Sequence, residues 1–172
     1  MKRVLFLLGH LKDQDIEWMI NNGQKEELET GDRLIRKGII IENIYIILSG
    51  QLSITDGDDG QNIAQIGAGE IVGEMSFLES RPPSVSVIAI EPCAVYSISR
   101  ELMKDKLQSD TEFKASFYYS LALFLSNRLR KTTNQLGFGS PDEADIIDDN
   151  VLDGVAQAGA RFSKILKKFS EV

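Results

Sequence analysis

The chain has one cysteine, Cys93, one histidine, His10, and four prolines among its 172 residues. A single cysteine excludes an intrachain disulfide, and its setting in the apolar run CAVYSI makes it a small buried hydrophobe. One histidine without a cysteine cluster provides no zinc site. A Ser-His-Asp arrangement could run only through His10, beside Gly9 in a helical lead-in, and nothing else resembles a nucleophile–base pair. No catalytic residue, metal ligand or enzyme activity is therefore expected. Long apolar runs are missing too: no stretch approaches the ~18 apolar residues of a membrane span. The run Val4 to Leu8 is shorter than a signal-peptide core, so the expectation is a cytoplasmic protein without a membrane partner. Basic charge is in deficit, with 19 Lys and Arg against 26 Asp and Glu and a net charge of -7. Nucleic acid and anionic lipid are polyanions and are repelled on average.

Hydrophobic residues, 42% of the chain, suffice for one domain with helical extensions. Leu8, Leu11, Ile16, Met19 and Ile20 recur at helical spacing in a lead-in over residues 4 to 22, with Asp13 and Asp15 as helix starters. From about Gln24 to Ile98, short runs rich in Ile and Val are punctuated by glycine. NIYIILSGQLSI, Asn43 to Ile54, reads as the clearest strand. Asp56-Gly57 and Asp59-Gly60 mark a hairpin turn, and SVSVIAI and AVYSI are two further strands parted by Glu91-Pro92. Many short strands with glycine turns predict a mainly β fold with flanking helices, an antiparallel jelly-roll barrel.

Behind the strands, Ser99 is a good N-cap for a helix carrying Leu102, Met103 and Leu107. A longer helix is predicted over Thr111 to Thr133, with a stripe of Phe113, Phe117, Leu121, Phe124, Leu125 and Leu129. Its middle, FYYSLALFL, is apolar nearly all round, so it must be covered on more than one side, by a second subunit or by the tail. An acidic linker over 136–149 then leads to a C-terminal helix over 150–172. Leu152, Val155, Gly159, Phe162, Leu166 and Phe169 form its apolar face, and Lys164, Lys167 and Lys168 complement its dipole. The spacing predicts docking on the domain itself or on a partner subunit.

The segment GEMSFLESRPPSVSV, Gly73 to Val87, carries the chemistry. Gly73 lets the backbone turn and approach closely. Glu74 offers a carboxylate to hydroxyl donors. Met75-Ser76-Phe77-Leu78-Glu79 can form one helical turn whose first N–H groups are unpaired donors suited to a phosphate.

TGDRLIRKG, NIYIILSGQLSI, GAGEIVGEMSFLESRPPSVSV and AVYSISRELM, in that order, resemble the cyclic-nucleotide-binding domain of the catabolite activator protein and protein kinase A regulatory subunit type. The resemblance covers about residues 5 to 135. It implies a binding domain over 1–135, with its jelly roll over about 24–98 and helices over about 99–135. It implies that Glu74 of the Gly73-Glu74 pair binds a ribose 2′-OH and that Met75 and Ser76 approach the phosphate. The family's Pro-Arg-small-small run falls on Pro82, Pro83, Ser84 and Val85, so Pro83 stands where the phosphate arginine belongs. Arg81, two residues earlier in an extended loop, can point to the same side. Losing the charged partner of a buried phosphate costs about 2–5 kcal/mol, which turns a micromolar site into one of roughly 0.1 mM or weaker.

The reading implied is a regulatory module for cAMP or cGMP, with Gly73, Glu74, Met75, Ser76, Arg81, Pro83, Ser84 and Val85 at the ligand. It would need no further cofactor and would signal through its C-terminal helices to a protein partner or second subunit. The alternative is a degenerate domain of the same fold that has lost the ligand and serves as a protein-interaction module. Direct DNA binding is not expected, because the segment after Thr133 is short, acidic until its last turns and without an evident helix-turn-helix.

Overall fold

The computed structural model describes residues 9–57, 60–137 and 159–168. Eight strands form two antiparallel four-stranded sheets. These are β1 (Gln24–Leu28), β2 (Arg33–Ile35), β3 (Asn43–Ser49), β4 (Gln51–Thr55), β5 (Asn62–Gly67), β6 (Ile71–Val72), β7 (Ser86–Ala89) and β8 (Cys93–Ser99). One sheet has the order β1-β8-β3-β6 and the other β2-β7-β4-β5. The jelly-roll expectation holds, but the sheets do not close into a barrel.

NIYIILSGQLSI is two strands rather than one. The break is Gly50, at φ 82°, where the chain leaves the first sheet for the second. A Cβ there would stand 2.6 Å from Cys93 Sγ and from the Pro92 carbonyl oxygen. Only glycine fits both the left-handed backbone and the close approach. Cys93 is buried at this crossing, and its thiol donates to the carbonyls of Gln51 and Glu91.

β3 explains why its sequence is an unbroken apolar run. Tyr45 and Ile47 point between the sheets, into a core with Leu52, Ile54, Val87 and Val95. Ile44, Ile46 and Leu48 point the other way, into a helical layer with Tyr96 and Ile98. A strand buried on both faces loses polar alternation.

The helical layer contains α1 (Asp13–Asn22), α2 (Glu74–Glu79), α3 (Arg100–Ser109) and α4 (Thr111–Gln135). α1 begins where the aspartates predicted it, with Lys12 N–H donating to Asp15 Oδ2 at 3.0 Å. It is tied to the sheet by Tyr96, whose hydroxyl donates to the Met19 carbonyl at 2.5 Å. Residues 4–8 of the expected lead-in lie outside the described residues. His10 has a packing role, edge-on to Tyr119 at 5.0 Å between centroids.

Ser99 caps α3 as expected, accepting from the N–H groups of Glu101 and Leu102. Met103 and Leu107 are buried behind it, while Leu102 faces out. α4 buries Phe113, Phe117, Leu121 and Phe124. The stripe does not continue to Leu129, which is 68% exposed, and Tyr118 and Tyr119 are exposed as well. Among the described residues, the apolar middle of α4 is thus covered on one side only.

Residues 159–168 are helical and pack on the domain itself. The side chain that seats them is Ile165, fully buried, which the predicted apolar face omitted. Phe162 and Leu166 flank it. Leu152, Val155 and Phe169, and the linker from 138 to 149, lie outside the described residues. No helix among the described residues is long and apolar enough to cross a membrane.

Candidate functional site

Between the second sheet and α2 lies a cavity of about 270 Å³. Its floor is apolar: Ile35 from β2, Ile54 from β4, Val72 from β6 and Val87 from β7. The wall is the segment singled out in the sequence. Gly73, Glu74, Met75 and Ser76 line it on one side, and Arg81, Pro83, Ser84 and Val85 on the other. All eight expected residues therefore converge on one space.

Local chemistry sets this wall. Gly73, at φ 89°, is the N-cap of α2, and its carbonyl accepts from Phe77 N–H at 3.0 Å. A Cβ on it would press within 2.9 Å of Ile41 Cδ1. Ser80 ends α2 in the left-handed region at φ 53°. The proline loop that follows is held by the β2–β3 loop. Gly38 N–H donates to the Pro83 carbonyl at 2.8 Å, and Lys37 N–H donates to Ser86 Oγ at 3.0 Å.

Glu74 is 3% exposed. Its carboxylate accepts from Arg128 Nη1 at 2.5 Å, at the N-terminal turn of α2. Burial pushes its carboxyl above the ordinary glutamate range. Arg128 and the nearby backbone N–H groups of Glu74 and Met75 pull the other way without cancelling that rise. Arg128 also lines the cavity and lies over the Phe124 ring, 5.8 Å from its centroid.

Arg128 was not among the residues predicted from sequence. The signal was present: Leu121, Phe124 and Arg128 follow one another at helical spacing, so the cation takes the next place on the buried face of α4. Glu79 and Pro82 complete the rim. Arg81 is exposed at the cavity mouth and makes no hydrogen bond or ion pair among the described residues. The same residues contain no cluster of His, Cys, Asp and Glu able to hold a metal.

A two-sheet jelly roll with a short glycine-led helix and a proline loop walling one cavity is the architecture of the cyclic-nucleotide-binding fold. Residues 25–110, half of the chain, match the model of the family described as the cyclic nucleotide-binding domain, and the chain belongs to that family. The cAMP-dependent protein kinase regulatory subunit of Yarrowia lipolytica is 26% identical over 113 residues, 66% of this chain and 30% of that protein. The cyclic AMP receptor protein of Thermus thermophilus is 26% identical over 141 residues, 80% of this chain and 63% of that one. The chain thus spans less than two thirds of the length of either relative. A solved cyclic nucleotide-binding domain from Methylobacillus flagellatus KT has a TM-score of 0.68 at 22% identity, covering 81% of this chain and 87% of that one.

Proposed function

We propose that residues 1–135 form a non-enzymatic, cytoplasmic regulatory module that takes a cyclic nucleotide, cAMP or cGMP, into the cavity. The observation that carries this reading is Glu74: a buried carboxylate at a cavity wall, held in place by an arginine from α4. A ribose hydroxyl would donate to it, and the cyclic phosphate would sit toward Ser84 and Val85. With Pro83 in the arginine's place, Arg81 at the mouth is the cation available to the phosphate.

Binding would reach α4 by two routes, the Arg128–Glu74 ion pair and the edge-on contact of Phe77 with Phe117 at 6.1 Å. A ribose hydroxyl on Glu74 competes with Arg128, so occupancy re-seats the helix. The output surface is then the side of α4 left exposed among the described residues, where Tyr118, Tyr119 and Leu129 would meet a protein partner or second subunit. Calorimetry with cAMP and with cGMP up to about 1 mM tests the reading, because the missing arginine sets the affinity near 0.1 mM or weaker. Heat from neither nucleotide would sink it.

A second reading, a degenerate domain that works as an interaction module, is favoured by the same ion pair. Arg128 already satisfies Glu74 without a ligand, and the cavity wall lacks the family's arginine.

A further inference from the structure

Residues 159–168 return across the molecule to α1. Arg161 Nε lies 2.9 Å from Asp13 Oδ1, and its Nη1 donates to the Gly9 carbonyl at 3.1 Å. Lys164 Nζ pairs with Glu17 Oε1 at 3.1 Å, and Lys168 Nζ donates to Asn21 Oδ1 at 3.0 Å. The partners advance together, 161, 164 and 168 against 13, 17 and 21. The two helices therefore run parallel, each offering one face to the other. Between the polar rungs Ile165 is fully buried, with Phe162 and Leu166 beside it.

These contacts have the character of a docked peptide rather than of a core helix. A helix at the surface of a domain owes most of its helicity to the face it packs, and here that face is seated on α1. It buries one whole side chain, where α4 buries Phe113, Phe117, Leu121 and Phe124. The Lys164–Glu17 pair is at the surface, with side chains 54% and 62% exposed, and in the other pair Asp13 is 81% exposed while Arg161 is 13% exposed, so salt screens the first fully and the second through its carboxylate. Charge is complementary along the whole contact. α1 carries Asp13, Asp15 and Glu17 and no basic residue; residues 159–168 carry Arg161, Lys164, Lys167 and Lys168 and no acid.

We infer that the face of α1 is a docking site for a basic amphipathic helix, occupied in cis by this chain's own residues 159–168, which form a detachable clasp held by the charge ladder. Release exposes the acidic face of α1 and the Ile165 seat together. That seat belongs to the same hydrophobic cluster as Phe77 of α2 and Phe117 of α4, so it is contiguous with the back of the cavity wall. The clasp does not depend on what fills the cavity.

Amide hydrogen exchange on the full chain, without any nucleotide, tests the clasp. Raising sodium chloride from about 50 mM to about 500 mM shortens the screening length about threefold, and amides 161–168 should exchange about tenfold faster while those of β3 and β8 hold. Glu17→Lys should speed the same amides at low salt, and adding Lys164→Glu should slow them again by restoring the pair with its signs exchanged. Unprotected tail amides at low salt would overturn the inference. So would tail protection indifferent to both salt and Glu17→Lys. Loss of β3 and β8 protection together with the tail would overturn it as well, since the helix would then be part of the core.

Discussion

Arg128 and Glu74 stand 54 residues apart in the chain and 2.5 Å apart in space. The pair joins the helix behind the cavity to the helix that walls it. Glu74 is almost fully enclosed, while the Arg128 side chain is 28% exposed.

Removing the arginine strands the carboxylate. Arg128→Met should destabilise the domain by about 2–4 kcal/mol, near the lower edge of the range for a pair buried on both sides. Glu74→Gln should cost less, because an amide oxygen still accepts from Arg128, whose side chain is 28% exposed and reaches water. Urea denaturation of both single variants and the double variant should give a coupling energy above about 1 kcal/mol. Additive losses would show that the pair does not act as a unit.

The raised carboxyl of Glu74 has a defined consequence for stability against pH. A glutamate whose folded value lies above its ordinary 4.5 binds its proton more tightly when folded. Its contribution to stability is fully present below 4.5 and is lost as pH rises through the higher folded value. The stability of Glu74→Gln relative to the parent should therefore climb over that interval and level off above it. Chemical denaturation of both proteins at a series of pH values reads this directly, and a flat difference would mean the carboxyl is not raised.

Gly50→Ala should be among the costliest conservative changes in the sheets. The new methyl meets Cys93 Sγ and the Pro92 carbonyl at 2.6 Å, on a backbone at φ 82°. Left-handed strain and overpacking together predict a loss of about 2–4 kcal/mol, measured as a fall in melting temperature. Gly57→Ala provides the comparison: its φ is 83° but no atom lies within 4 Å of the added carbon, so only the backbone strain should appear.

Pro83→Arg separates the two functional readings. Returning a guanidinium to this half-buried position at the cavity should tighten cAMP or cGMP by about tenfold or more. Arg81→Ala should weaken whatever binding the parent has. Calorimetry that finds no gain from Pro83→Arg would show that the absent arginine is not what limits the site.

The cavity wall was legible in the sequence because it is nearly contiguous: Gly73 to Val85 carries its spacing in the chain itself. The jelly roll was legible from glycine-bounded strands, and the start of α3 from Ser99. The break at Gly50 was hidden because β3 and β4 both continue an apolar pattern across it. Nothing in that pattern records that the sheet changes. Arg128 was hidden by distance along the chain. It sits among polar residues at the end of α4, and only its phase with Leu121 and Phe124 separates it from its solvated neighbours. Ile165 was missed because the apolar face was drawn at alternating spacings of three and four through Phe162 and Leu166, which passes over position 165.

The composition of the cavity floor has a consequence for how such a domain can change. Three of the four floor residues, Ile35, Ile54 and Val87, belong to the sheet of β2, β7, β4 and β5, and Val72 belongs to the other. The helices hang on the other sheet, through Ile44, Ile46, Tyr96 and Ile98. The cavity floor and the helical layer therefore rest mostly on different sheets. On the proposed reading, substitutions at those three positions would reshape what the cavity accepts without touching the packing of α4, so one lineage could acquire a new effector without rebuilding its response.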